Sequence, residues 1–281
     1  MNNFQSRLVV GVLYVLVSIA CLLSGIYSAL AFGWLIQLFC LYEFYQILKK
    51  ESPLADKILS MIGGAIFVFP LVFLNQNNLT IGQNNYYLIF GLAGWILLLY
   101  ALFNLRNARG LLITIFGWTY ISVPFAMLIK LGNLEFGERS LSLVTYQGFS
   151  ILSIFILIWA SDTFAYLAGR KFGKTPLAPS ISPKKTVEGF VGGLIGTLII
   201  AVVLFYTKPV FYDFKHYLVL GLICCMVGTM GDLFESWIKR KVGIKDSGTL
   251  LGGHGGFLDR FDSVIFVAPI AYFYLNTFAI H

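Results

Sequence analysis

The sequence predicts an all-α, polytopic integral membrane protein with about nine transmembrane helices and a cytoplasmic N-terminus. Three observations carry that prediction. Of the 281 residues, 58% are hydrophobic and only 12% are charged, about half the charge of a soluble domain. Such a surface cannot clothe a globule in water, and the same apolar excess excludes disorder. The apolar residues come in long blocks, which fits helices rather than the alternating strands of a barrel. Finally, the basic residues divide unequally between the connecting loops, as the positive-inside rule requires of a polytopic chain.

A spanning helix needs roughly 20 mostly apolar residues. Nine runs qualify: 8–25, 29–47, 58–74, 86–103, 111–129, 149–168, 189–206, 217–234 and 263–279. The third and seventh are short. The first run follows Arg7 and resembles a signal peptide, but Ser18-Ile19-Ala20-Cys21 is a poor cleavage site and a second apolar run follows at once. A retained helix is therefore expected. With the N-terminus inside, 16 of the 20 Lys and Arg fall in inner loops. Only Lys130, Arg139, Lys208 and Lys215 fall outside. Losing or adding one span before residue 150 destroys this asymmetry. The net charge of +7 suits a membrane surface or an anionic substrate. Cys21, Cys40, Cys224 and Cys225 lie in apolar runs with neither metal spacing nor a disulfide framework.

Residues 1–148 form a scaffold region with few charges inside spans. Glu43, near the inner end of the second run, reads as an interfacial residue, and Lys49–Lys57 as a loop drawn to anionic headgroups. This half is expected to serve as scaffold, dimer contact or lipid access. The polar residues that can do chemistry belong to residues 149–281, whose loops lie on the cytoplasmic side.

Asp162 stands within the sixth apolar run, where an acid is costly and so a functional candidate. The alternative is a helix-end residue bonded to Ser161 or Thr163. Residues 169–190 follow, with five basic residues against one acid. Headgroup attraction explains the charge. It does not explain Ser182 and Thr186 set among glycines, where hydroxyls and open backbone amides can cradle phosphate oxygens. Gly192 and Gly196 form a small-xxx-small face for close helix packing.

The densest polar stretch is 231–263, with five acids, five Lys or Arg, and His254. If the preceding helix continues, Asp232, Glu235, Ser236 and Lys239 share one face. If the next begins near Gly256, so do Asp259, Asp262 and Ser263. One carboxylate from each helix can then meet across a shallow cleft, and oxygen ligands of that kind suit Mg²⁺. The glycines around His254 bring open N–H groups to a helix N-terminus, an anion site. Metal ligation, a phosphate contact and a loop hydrogen bond are all open to His254. Lys239, Arg240, Lys245 and Arg260 supply countercharge. A solvated loop with internal ion pairs is the alternative, and it leaves the glycines and the membrane-edge acids unexplained.

Ser236-x-x-Lys239-Arg240-x-x-x-x-Lys245-Asp246-x-Gly248-x-x-Leu251-Gly252-x-His254-Gly255-Gly256-Phe257-x-Asp259-Arg260-Phe261-Asp262 resembles the pattern of the phosphatidate cytidylyltransferases, or CDP-diacylglycerol synthases. Ser182-Pro183-Lys184-Lys185-Thr186-x-Glu188-Gly189 is similar to the same family. Members often carry proline where this chain has Gly252. The resemblance is strong over about 160–263 and only compositional before it.

It implies that CTP and phosphatidate react to CDP-diacylglycerol and pyrophosphate. It further implies Mg²⁺ on Asp232 and Asp259, with a second cation left open. Lys239, Arg240, Lys245 and Arg260 would grip the triphosphate and lipid phosphate, and Ser182, Lys184 and Lys185 would form the opposite wall. Asp246, His254 and Asp262 would orient these groups or hold the second cation. Asp162 and Glu188 would stand behind them, with Thr186 and Ser236 among the substrate contacts. Other expected partners are membrane lipids and a second copy of the chain, but no nucleic acid. The short N-terminal segment favours a bacterial inner membrane with the site on its cytoplasmic side.

Two rival classes remain. A secondary transporter would place its charges near the midplane and show internal repeats, whereas here the charges crowd one side. A polyprenol or dolichol kinase-like enzyme would share the phosphate and metal logic. A CDP-alcohol phosphatidyltransferase would need an Asp-Gly-x-x-Ala-Arg run, which is absent.

Overall fold

The computed structural model describes residues 3–48, 61–64, 108–132, 134, 146–207, 213–248, 250 and 255–279. The predicted span 86–103 and most of 58–74 lie outside the described residues, as does His254. The other seven predicted runs all coincide with helices: α1 (Asn3–Leu23), α2 (Ile26–Ile47), α3 (Ala108–Gly117) continuing through a π-helical turn (Trp118–Ser122) into α4 (Val123–Leu131), α5 (Gly148–Phe172), α6 (Val187–Thr207), α7 (Phe214–Val242) and α8 (Leu258–Phe278). Six stretches among the described residues are long and apolar enough to cross a membrane, the π turn joining α3 and α4 into one of them. In α1 the apolar stretch Gly11–Leu23 is shorter. The chain is an all-α, multi-pass membrane protein.

Two helices run past their apolar stretches into the charged segment, as the shared faces required. The predicted run ending at 234 continues to Val242, and the one beginning at 263 starts at Leu258. An apolarity window stops at charges, but these helices carry theirs onward. Asp232, Glu235, Ser236 and Lys239 ride α7 on a single face, and Asp259 and Asp262 ride the first turns of α8. Gly243, at φ +78°, ends α7 in the left-handed conformation and donates to the carbonyls of Arg240 and Lys239.

The segment expected as a basic loop differs. Strands β1 (Pro176–Ala178) and β2 (Ser182–Thr186) pair antiparallel into a small hairpin, the one departure from an all-helical fold among the described residues. It sits between the end of α5 and the start of α6.

Small residues let these helices approach closely. A Cβ on Gly192 would collide with Ala168, and one on Gly196 with Phe164, so the α5–α6 contact matches the expected packing face. At the α7–α8 crossing a Cβ on Gly231 would lie 2.6 Å from the carbonyl oxygen of Asp262. Phe261 is fully buried. Its ring meets Tyr14 of α1, Phe125 of α4 and Phe155 of α5, with centroids 5.7, 5.7 and 6.1 Å away. The start of α8, flanked by Asp259 and Asp262, is thereby fixed against three other helices. On the far side of α6, Val191, Ile195, Ile199 and Val203 are exposed at four-residue spacing, an apolar stripe suited to lipid.

Candidate active site

A cleft of about 340 Å³ opens between α1, α5, α7 and α8. Gly11, Tyr14, Val15, Ile158, Trp159 and Val264 make its apolar wall. Asp162, Asp232, Asp259, Arg260, Asp262 and Ser263 make its polar one. Asp232 and Asp259 thus come from different helices and face the same space, as the face arithmetic required. Gly11, Tyr14 and Val15 bring the middle of α1 to the cleft.

Four of the site carboxylates are held. The Lys185 ammonium reaches Asp232 Oδ2 from β2, and Ser236 Oγ donates to Asp232 Oδ1 at 3.3 Å. The Lys239 ammonium bridges two helices, 2.6 Å from Glu235 Oε2 and 2.5 Å from Asp259 Oδ1. Asp259 Oδ2 also accepts from the backbone N–H of Gly256 at 2.7 Å and of Ser247 at 3.0 Å. Asp262 is buried and accepts from Ser263 N at 2.6 Å. Five carboxylates (Asp162, Asp232, Glu235, Asp259, Asp262) gather with three cationic side chains (Lys185, Lys239, Arg260). The carboxylates outnumber the cationic side chains, and Glu235 Oε1 is buried without a partner among the described residues.

The family model described as the Cytidylyltransferase family matches residues 5–278. The chain belongs to that family. It is 54% identical over 123 residues to a phosphatidate cytidylyltransferase of Aquifex aeolicus, covering 43% of this chain and 45% of the relative. It is 52% identical over 124 residues to that of Staphylococcus saprophyticus, covering 43% and 46%. With that of Bacillus subtilis it shares 39% over 160 residues, covering 57% and 56%. The chain therefore spans about half the length of the curated relatives it matches.

The oxygen donors of this site fit a hard cation. Among the described residues no three His, Cys, Asp or Glu side chains converge on a metal position. Mg²⁺ does not demand such a set, since one or two carboxylates plus substrate phosphates commonly hold it.

Several expected site residues have structural partners outside the cleft. Thr186 caps α6, its Oγ1 accepting from Gly189 N at 3.1 Å. Glu188 accepts from the backbone of Lys174 and Thr175 at 3.0 and 3.2 Å, closing the base of the hairpin. Arg240 donates to the carbonyls of Ile244 and Ile181 at 2.9 and 3.4 Å, tying α7 to the turn between β1 and β2. Strand alternation turns Lys185 toward Asp232 and leaves Lys184 exposed. Lys245 and Asp246 are exposed just beyond α7, and Ser182 is half-buried at the start of β2. Asp162 sits inside α5 rather than at its end. Thr163, offered as its partner, donates instead to the Trp159 carbonyl at 2.7 Å.

Two expectations are corrected. The N–H groups of Gly256 and Leu258 at the start of α8 do make an anion site, but the chain's own carboxylates occupy it; Gly252, Gly253 and His254 lie outside the described residues. Gly256 N goes to Asp259, and Leu258 N goes to Glu43 Oε2 at 2.9 Å. Glu43 itself is 1% exposed rather than interfacial. An acid inside an apolar run was the available signal, and its place near a helix end disguised it. Glu235 was placed on the right face without a role.

Proposed function

We propose that this cytidylyltransferase transfers CMP from CTP to phosphatidate, giving CDP-diacylglycerol and pyrophosphate. The observation that carries this reading is the convergence of Asp232 and Asp259, from separate helices, on a cleft whose second wall is apolar. Such a cleft suits a reaction between a polyanionic nucleotide and a lipid phosphate. The phosphatidate phosphate oxygen attacks the α-phosphorus of CTP, and the bond from that phosphorus to the bridging oxygen breaks as pyrophosphate leaves. The nucleophile is already anionic, so no strong general base is needed. The barrier is the approach of two polyanions.

Lys185 and Arg260 bring positive charge to the cleft, while exposed Lys184 and Lys245 lie nearby in sequence on the hairpin and beyond α7. Lys239 holds Asp259 against Glu235 and keeps that carboxylate in place. Asp232 and Asp259 would hold Mg²⁺, which when bound supplies charge neutralisation and orients the phosphoryl oxygens. The basic residues then lie on the cytoplasmic face of a bacterial inner membrane, where CTP is available, with the N-terminus on the same side. The functional unit is a homodimer, and the full chain crosses the membrane about nine times.

The test is direct. Purified protein in detergent is incubated with CTP labelled in the cytosine ring, phosphatidate and Mg²⁺. Label should enter the lipid fraction as a CDP-lipid, with one pyrophosphate released per lipid formed. Replacing phosphatidate with a polyprenol should give no lipid phosphorylation and no CDP. Phosphorylation of the polyprenol, or the absence of labelled lipid from active preparations, would sink the proposal.

A further inference from the structure

One oxygen of Glu43, in the first half of the chain, holds the two segments that flank Asp259. Glu43 Oε2 accepts from Ser247 Oγ and from Leu258 N, each at 2.9 Å. The two donors stand 204 and 215 residues away in sequence, one after α7 and the other at the first position of α8. The helix α8 has no side-chain cap of its own, since Phe257 occupies that position. Glu43 supplies the missing cap from α2. Ser247, held by Glu43 through its hydroxyl, turns its own N–H to Asp259 Oδ2. Gly248 and Gly256 are tight against the Glu43 carboxyl, and any Cβ there would strike it. Burying a carboxylate is costly, and here Oε2 takes both bonds while Oε1 has no partner among the described residues, so its place marks a constraint rather than a chance contact.

We propose that Glu43 is a positioning residue for the transfer reaction. It clasps the segment after α7 to the first turn of α8 and so sets the direction of Asp259. The inference rests on the reaction proposed above. Glu43 touches neither the cleft nor a reacting atom, and it acts through Ser247 and Leu258. Both bonds end on the same oxygen, and an amide oxygen also has two lone pairs. The clasp therefore needs an acceptor and not a charge.

The test uses the full chain in detergent with three variants. In Glu43→Leu, kcat should fall about 10- to 100-fold, the usual range when a residue supporting a liganding carboxylate is lost. The KM for CTP should stay within about threefold, since no substrate contact is removed. Glu43→Gln should keep kcat within about fivefold of wild type. Amide exchange should quicken in peptides containing Ser247 and Leu258 in the leucine variant, and remain at wild-type level in α5 and α6. Ser247→Ala should cost several-fold in kcat alone and nothing further on top of Glu43→Leu. If Glu43→Leu does not fold, Ser247→Ala decides through the same local exchange. Wild-type kcat with unchanged exchange, or a glutamine variant as impaired as leucine, would overturn the proposal. Should the wild type make no CDP-lipid, the reaction fails as a reading, while exchange still decides whether the clasp exists.

Discussion

Replacing Lys239 with methionine removes the cation that joins α7 to α8. Its ammonium lies 2.6 Å from Glu235 and 2.5 Å from Asp259, and the three side chains are 9%, 2% and 12% exposed. Methionine keeps the volume, so no cavity term enters. Two buried carboxylates are left facing each other without their shared cation. Deleting one partner of a buried pair costs about 3–5 kcal/mol, or roughly a 100- to 4,000-fold loss in the folded-to-unfolded ratio. The backbone N–H groups of Gly256 and Ser247 still hold Asp259, which places the expectation toward 3 kcal/mol. Adding Glu235→Gln removes the orphaned charge that has no backbone donor and should recover at least about 1 kcal/mol, because contacting residues are not additive. Reversible unfolding in mixed micelles, followed by tryptophan fluorescence, measures both. A Lys239→Met protein within about 0.5 kcal/mol of wild type, or a double variant weaker than the single, would refute the buried-pair argument.

Other expectations follow from single contacts. Lys185→Met breaks a pair whose members are 30% and 31% exposed. Stability should change by less than about 1 kcal/mol, while CDP-lipid formation falls at least about tenfold in initial-rate assays. Gly231→Ala pushes a methyl toward the Asp262 carbonyl, 2.6 Å from the built position; overpacking of this kind costs about 1–3 kcal/mol and should show as a lowered Tm. Thr186→Val removes the α6 cap and should cost about 1 kcal/mol, with circular dichroism following the melt. Asp232→Asn and Asp259→Asn should each depress pyrophosphate release and shift its Mg²⁺ dependence to higher concentration. Wild-type turnover and metal dependence in both would dismiss them as ligands.

The apolar runs were legible because membrane spans announce themselves by length. The Asp232 and Asp259 faces were legible because helical spacing is periodic, and the family pattern covers Asp259. What escaped has a common physical origin. The hairpin around Ser182–Thr186 has only eight paired-strand positions and an exposed basic strand, so no apolar alternation marks it. Glu43 depends on partners more than 200 residues away, a distance that spacing arguments cannot bridge. The helix-start amides of α8 looked open because sequence shows donors but not which acceptor reaches them. Lys239 looked like a phosphate-binding cation for the same reason: its two carboxylate partners sit one turn back and twenty residues ahead.

The 29 residues of α7 make a rod about 43 Å long at 1.5 Å per residue. A hydrocarbon slab is about 30 Å thick. The excess must lean or project, and the residues at that end are the ones that carry Asp232 and Lys239. Thickening or thinning the lipid slab would therefore raise or lower the acidic cleft relative to the plane in which lipid phosphates float. Reconstitution in nanodiscs of graded acyl length should give a rate optimum rather than a plateau.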